Sequence, residues 1–91
     1  MNVLPLPSTL THAQAPACRS EWLRALRAAP AGTAWQLDAS ALEAFDSSAL
    51  ALLLACRREA LALGQAWQVT HMPPRLRELA GLYGVMPLLE G

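Results

Sequence analysis

An acid and two hydroxyls, Asp46-Ser47-Ser48, stand immediately before a leucine-rich segment that extends to Leu63. Asp and Ser are preferred at a helix N-cap, where the side-chain oxygen accepts a hydrogen bond from a backbone N–H group. The positive end of a helix dipole also favours anions. Such a corner can hold a phosphate, receive one on a hydroxyl, or contact a partner protein. We predict that Asp46 caps the helix, and that the two serines either complete this cap or carry a further function.

The rest of the sequence lacks the residue types and spacings of a catalytic or metal site. It contains neither of the glycine-rich phosphate-binding patterns G-x-x-x-x-G-K-[ST] and G-x-G-x-x-G. No carboxylate or cysteine partner is implied by the sequence for His12 or His71. Cys18 and Cys56 are isolated, and we predict that both are buried as small apolar groups. We therefore expect no catalytic residue, no metal and no cofactor.

The composition is apolar and electrically balanced. Of the 91 residues, 54% are hydrophobic and 15% are charged, against about 25% charged in an average soluble domain, which suggests a surface partly covered by a partner. Seven basic and seven acidic residues cancel, which disfavours nucleic acid as that partner. The longest apolar run, residues 49–56, is too short to span a membrane, and the first residues do not resemble a signal peptide. These features predict one cytoplasmic domain over residues 1–91.

Hydrophobic periodicity and the positions of Gly and Pro predict alternating strands and helices. In chain order we expect a strand over 3–11 broken by prolines, a helix over 13–29, a strand over 33–38, a helix over 47–63, a strand over 66–71 and a helix from 73–74 to Gly84. Trp35 and Leu37 are expected on the buried face of their strand, with Gln36 opposite. The last helix is expected to bury Leu76, Leu79, Ala80 and Tyr83. This order predicts an α/β fold with a small, mostly parallel sheet and about three helices.

The helix over 47–63 has two apolar faces when its residues are placed at about 100° intervals. The first face suffices to pack the helix on a sheet: Ala49, Leu52, Leu53, Cys56, Ala60 and Leu63. The second continues toward Ser47 and is flanked by two arginines: Leu50, Leu54 and Leu61, with Arg57 and Arg58. Either a neighbouring helix covers this second face, or it binds another protein, since interface cores favour apolar anchors with arginine nearby.

Several of these segments together resemble the STAS domain, most closely over residues 33–90. The residues that carry the resemblance are the strand Trp35-Gln36-Leu37-Asp38, the run from Phe45 to Leu54, Gly64, the strand end near His71, and Pro73-Pro74-Arg75-Leu76 with Leu79 and Leu82. STAS is the fold of bacterial anti-anti-sigma factors. It is also the fold of MlaB, the small cytoplasmic subunit of the phospholipid-transporting ABC complex that maintains outer-membrane lipid asymmetry.

The resemblance implies two alternative functions, which differ at the two serines. In anti-anti-sigma factors a partner serine kinase phosphorylates the second hydroxyl after the acid, which makes Ser48 the candidate phosphoacceptor here. In MlaB proteins a threonine usually stands at the place of Ser47 and contributes to the surface that meets the ATPase subunit MlaF. This chain has serine at both places.

We favour the MlaB branch because Leu82-Tyr83-Gly84-Val85 is similar to the Leu-Tyr-Asn-Leu ending of those proteins, and because of the second apolar face. The resemblance then implies a non-catalytic subunit that binds and supports the cytoplasmic ATPase of the transporter, peripheral at the inner membrane and without insertion into it. The expected partner-binding residues are Ser47, Leu50, Leu54, Arg57, Arg58 and Leu61. The alternative is an anti-anti-sigma factor controlled by phosphorylation at Ser48.

Overall fold

Five strands and four helices make up residues 2–90, the part of the chain that the computed structural model describes. In chain order they are β1 (Asn2–Pro5), β2 (Thr9–Leu10), α1 (Ala15–Ala28), β3 (Ala34–Asp38), β4 (Ala44–Phe45), α2 (Ser47–Ala62), β5 (Ala66–Thr70), α3 (Pro74–Leu82) and α4 (Met86–Leu89). Within residues 2–90, none of the helices combines the length and apolar content needed to cross a membrane.

The strands form two parallel sheets. In the larger sheet β3 lies between β1 and β5, and Trp35 is the register partner of both Asn2 and Trp67. Side chains alternate between the faces of a strand, so Trp35 and Leu37 are buried while Gln36 lies on the opposite, half-exposed face. The smaller sheet pairs β2 with β4. The predicted α/β fold with a mostly parallel sheet is confirmed.

The two prolines of the opening segment explain why it forms two short strands. β1 ends at Pro5 and β2 begins at Thr9, beyond Pro7, in a different sheet. Proline has no N–H to donate, which restricts it to edge strands and strand ends. β1 occupies an edge of the larger sheet, so the prediction of an edge or broken strand is confirmed.

The last predicted helix differs from expectation at its C-terminal end. Leu76 and Ala80 are fully buried and Leu79 is half-buried, but Tyr83 is 58% exposed. Tyr83 follows the last residue of α3, and Gly84, with a φ of 69°, reverses the chain there. The chain then forms α4, which the sequence did not predict, and α4 contacts α2, α3 and β5. Leu89 of α4 is fully buried in the core. The prediction that Tyr83 is buried is wrong, because Tyr83 lies beyond the end of α3 and is exposed.

Helix α1 is joined to the sheet by one buried polar side chain, Gln65, which is 3% exposed. Its Oε1 accepts a hydrogen bond from Trp35 Nε1 at 2.9 Å. Its Nε2 donates to the carbonyl oxygens of Leu26 at 2.9 Å and Ala29 at 3.1 Å, at the end of α1. Helix ends leave carbonyl groups without intrahelical partners. Gln65 donates to the Ala29 carbonyl and adds a second hydrogen bond at the Leu26 carbonyl, which also accepts from the Ala29 N–H. Gln65 follows Gly64, which has the positive φ, 72°, expected of a residue that ends a helix.

Replacing Gln65 with Leu should destabilise the protein strongly. The Gln65→Leu variant leaves the Trp35 indole N–H and two carbonyls of α1 without the amide, and we expect a loss of about 2–4 kcal/mol in the free energy of unfolding. Gln68→Leu, within the adjoining strand β5, is the control, because its side chain is half-buried and we expect a change within about 0.5 kcal/mol. Urea unfolding followed by circular dichroism measures both, and equal stability of the two variants would contradict the role given to Gln65.

Candidate functional site

The start of α2 is fixed by Asp46, the residue that caps this helix. Its Oδ1 accepts a hydrogen bond from the backbone N–H of Ser48 at 2.8 Å. Its Oδ2 accepts one from the backbone N–H of His12 at 3.2 Å and lies 3.5 Å from His12 Nδ1. The pairing of β2 with β4, in which Leu10 is opposite Phe45, brings these segments together. Asp46 therefore holds the helix start and the chain after β2 in one arrangement.

The carboxyl group of Asp46 is more acidic than usual. Partial burial acts to raise its pKa, but the hydrogen bonds from the backbone and side chains of Ser48 and His12 together outweigh this effect, and its pKa lies below the ordinary value of 3.8. The charged form is the one that accepts hydrogen bonds. Asp46 is therefore held as a carboxylate at the positive end of α2.

The two serines after Asp46 have different surroundings. Ser48 is half-buried and lines a groove of about 520 Å³ between α1 and α2. His12, Arg19 and Ser20 supply polar groups to this α1–α2 groove, and alanines, among them Ala55, supply small apolar ones. Ser47 is exposed and is not part of the groove wall. The groove makes the Ser48 side of the corner concave, whereas Ser47 is on the open surface.

A second groove lies on α2 farther along the helix, where α4 approaches it. Five residues line this space of about 200 Å³: Leu54, Arg57, Arg58, Leu61 and Leu88. Four of them are among the residues that the sequence predicted to bind a partner. The fifth, Leu88, belongs to α4, so it was missed with that helix. We call this space the α2–α4 groove.

Leu50 does not belong to the α2–α4 groove. Its side chain is 1% exposed and belongs to the hydrophobic core, so the prediction that it lies on an outward face is wrong. The sequence left open whether a neighbouring helix covers the second face of α2, and α2 does contact both α1 and α4. Leu54 is half-buried and Leu61 is 50% exposed. The predicted second face is therefore open only in its C-terminal part, and Ser47 is separated from that part by the buried Leu50.

The arginines around α2 differ in their ion pairing. Arg27 of α1 is paired with Glu59 of α2 through an Nε–Oε1 distance of 3.0 Å. Among residues 2–90, no carboxylate is within ion-pair distance of Arg57 or Arg58. Arg57 is half-buried and Arg58 is exposed. The α2–α4 groove thus combines three leucines with two guanidinium groups whose charge the described residues do not neutralise.

Each histidine lies beside an aspartate, which the sequence did not indicate. His12 is next to Asp46, and His71 Nδ1 is 3.2 Å from Asp38 Oδ1. Both pairs lie at the C-terminal ends of paired parallel strands, β2 with β4 and β3 with β5, so strand register is the signal that would have found them. Within residues 2–90, the structure contains no group of three or more His, Cys, Asp or Glu side chains that could bind a metal ion.

The cysteine thiols are not activated. Cys56 is buried, and this burial raises the pKa of its thiol to about 11, despite a smaller opposing effect of Trp67. Cys18 is half-buried, and burial followed by the charge of Glu21 raises its pKa as well. The prediction of burial is therefore confirmed for Cys56 and only partly met by Cys18. Both thiols are held in the protonated, weakly nucleophilic form.

A parallel sheet with an acid-capped helix at a Ser-Ser corner is the architecture of a small α/β domain of the STAS type. A family model described as "Mlab, STAS domain" matches residues 2–90, and the chain belongs to this family. A search of curated proteins found no match. The resemblance to a STAS domain protein of the MlaB kind is confirmed.

Acid should weaken the protein partly through Asp46. Because the pKa of Asp46 is lowered in the folded state, its contribution to stability is present above the unfolded-state pKa and is lost as the pH falls through the folded-state pKa. We expect the urea midpoint of the wild type to fall more between about pH 6 and about pH 3 than that of Asp46→Asn, which keeps a capping oxygen but does not titrate. Parallel pH profiles for the two proteins would contradict this assignment.

Truncation of leucines on α2 should separate core from surface. We expect Leu50→Ala to lower the free energy of unfolding by about 2–5 kcal/mol, because it leaves a cavity in the core. Leu61→Ala, at a half-exposed position on the same helix, should cost less than about 1 kcal/mol. Urea unfolding measures both values, and similar losses would contradict the different burial of the two side chains.

Proposed function

We propose that this STAS protein is a non-catalytic subunit that binds and supports the cytoplasmic ATPase of a phospholipid-transporting ABC complex, which maintains lipid asymmetry of the outer membrane. ATP chemistry belongs to the partner. The protein is then located in the cytoplasm and is peripheral at the inner membrane through that partner. Membership of the family described as "Mlab, STAS domain" supports this proposal.

The α2–α4 groove is the observation that carries the proposal. It exposes part of Leu61 and Leu88 beside Arg57 and Arg58 on one side of α2. Protein interfaces commonly contain apolar anchors and arginine in this combination. We therefore assign the docking surface to Leu54, Arg57, Arg58, Leu61 and Leu88, with exposed Ser47 as a separate contact near the helix start.

Ser48 supports the alternative function, an anti-anti-sigma factor regulated by a serine kinase. Its side chain lines the open α1–α2 groove. A kinase that inserts a part of its surface into this groove would reach the hydroxyl. A phosphate there would be favoured by the helix dipole and opposed by the Asp46 carboxylate. Phosphorylation at this position would therefore alter a local balance of charge and change the surface that a partner meets.

Capture of the protein from its own cells tests the docking surface. We expect the wild type to co-purify with the ATPase of a lipid transporter, and Leu61→Asp to reduce this yield at least about tenfold. The substitution removes an apolar anchor and places a carboxylate one helical turn from Arg57 and Arg58, where it competes with the partner for both arginines. Val3→Asp is the control, since Val3 is 53% exposed on the opposite face of the sheet, in register with Gln36. Equal yields from the two variants would contradict the assigned surface.

The captured ATPase also separates the two functions. If the partner is a serine kinase, and incubation with ATP adds one phosphoryl group to the wild type but not to Ser48→Ala, the transporter proposal is wrong. If the partner is a transporter subunit and the intact mass of the chain is unchanged by ATP, the anti-anti-sigma alternative is wrong.

A further inference from the structure

We propose that the α2–α4 groove receives one large apolar side chain of the ATPase, from a segment that carries Asp or Glu residues next to that side chain. This inference rests on the proposed function and specifies the chemistry of the partner. It follows from the size of the groove, from the leucines that line it and from the absence, among residues 2–90, of a carboxylate paired with its two arginines.

The size of the groove favours a side chain over a small molecule. Its volume is about 200 Å³, below the range of about 300–1,000 Å³ that is usual for small-molecule sites. The apolar part of the wall comes from leucines of two different helices, Leu54 and Leu61 of α2 and Leu88 of α4. Leucines on two sides of a space can surround one inserted side chain, which is the usual form of an interface anchor.

The charge of the groove determines what must lie beside that anchor. Arg57 and Arg58 are its charged residues, and among residues 2–90 neither is within ion-pair distance of a carboxylate. Glu59, the acid next to them in the chain, is paired with Arg27 on the α1 side of α2. A partner that covers the groove removes water from two guanidinium groups, and the cost is offset only if it supplies carboxylates. A basic or wholly apolar segment would leave the arginines without compensation.

Titration of the protein with the purified ATPase tests this chemistry through the dependence of the affinity on salt. We expect the Kd of the wild type to rise between about 50 mM and about 500 mM NaCl, because screening reduces the attraction between the arginines and the carboxylates. Arg57→Gln with Arg58→Gln should weaken binding about tenfold at low salt and remove most of that salt dependence. Leu88→Ser should weaken binding by a similar factor while the salt dependence stays as in the wild type.

The matched control is Arg24→Gln with Arg77→Gln, which removes the same net charge from two exposed arginines that do not line the groove. We expect this variant to retain the affinity and salt dependence of the wild type. Urea midpoints close to that of the wild type establish that every variant is folded. If the groove variants bind the ATPase as the control does, this inference and the docking surface assigned to the groove are both wrong, whereas the proposed function as a subunit that binds the ATPase stands. If the wild type binds no transporter ATPase, the proposed function is wrong as well.

Hydrogen exchange on the ATPase identifies the segment itself. We expect the complex to protect a segment of the ATPase that contains a large apolar residue next to Asp or Glu. Lys substitutions at those acids should weaken binding to the wild type and restore binding to the variant Arg57→Glu with Arg58→Glu. Protection that depends on the groove but falls on a segment without acids would overturn the inference.

Discussion

The hydrogen bonds of Gln65 are the constraint on which the helix layer depends. A buried amide is costly unless its polar atoms are paired, and here Oε1 is bound to the Trp35 indole while Nε2 is bound to the end of α1. These bonds are directional, so α1 has one position relative to β3 and β5. Since α1 packs against α2, the same constraint determines the width of the α1–α2 groove. A contact made only of apolar side chains would tolerate sliding of the helix more easily.

Helix α2 is part of the hydrophobic core near its start and part of the surface near its end. Its first turns are covered on several sides, so Leu50 belongs entirely to the core, whereas Leu61 near its end is half-exposed. The groove with α4 lies beside the C-terminal half of α2, where Leu54, Arg57, Arg58 and Leu61 face Leu88. Asp46 and Gln65 hold the two ends of this arrangement, one at the start of α2 and the other just beyond Gly64. A partner at the α2–α4 groove would therefore meet a surface with little freedom to rearrange.

The sequence predicted the elements whose signals are periodic and long. The alternation around Trp35 and Leu37 located β3, and Gly64 located the end of α2. Helix α4 has four residues, too few for a helical repeat to be recognised, so Leu88 was missed with it. The error at Tyr83 arose because α3 ends one residue earlier, at Leu82, and the error at Leu50 because helical periodicity does not show which neighbours cover a face. Four of the five residues of the α2–α4 groove could be predicted because they share one helix. The pairing of each histidine with an aspartate could not, since it depends on strand register, which a single sequence specifies weakly.

The tryptophans Trp22, Trp35 and Trp67 are all buried, and none of them lines the α1–α2 or the α2–α4 groove. Indole fluorescence shifts to longer wavelength when the ring enters water, so the emission of this protein reports on the opening of its core. Because Trp35 and Trp67 lie side by side on adjacent strands, separation of the sheet would change both rings together. The native chain thus contains an internal optical label for unfolding that is expected to stay nearly constant while a ligand occupies the outer surface.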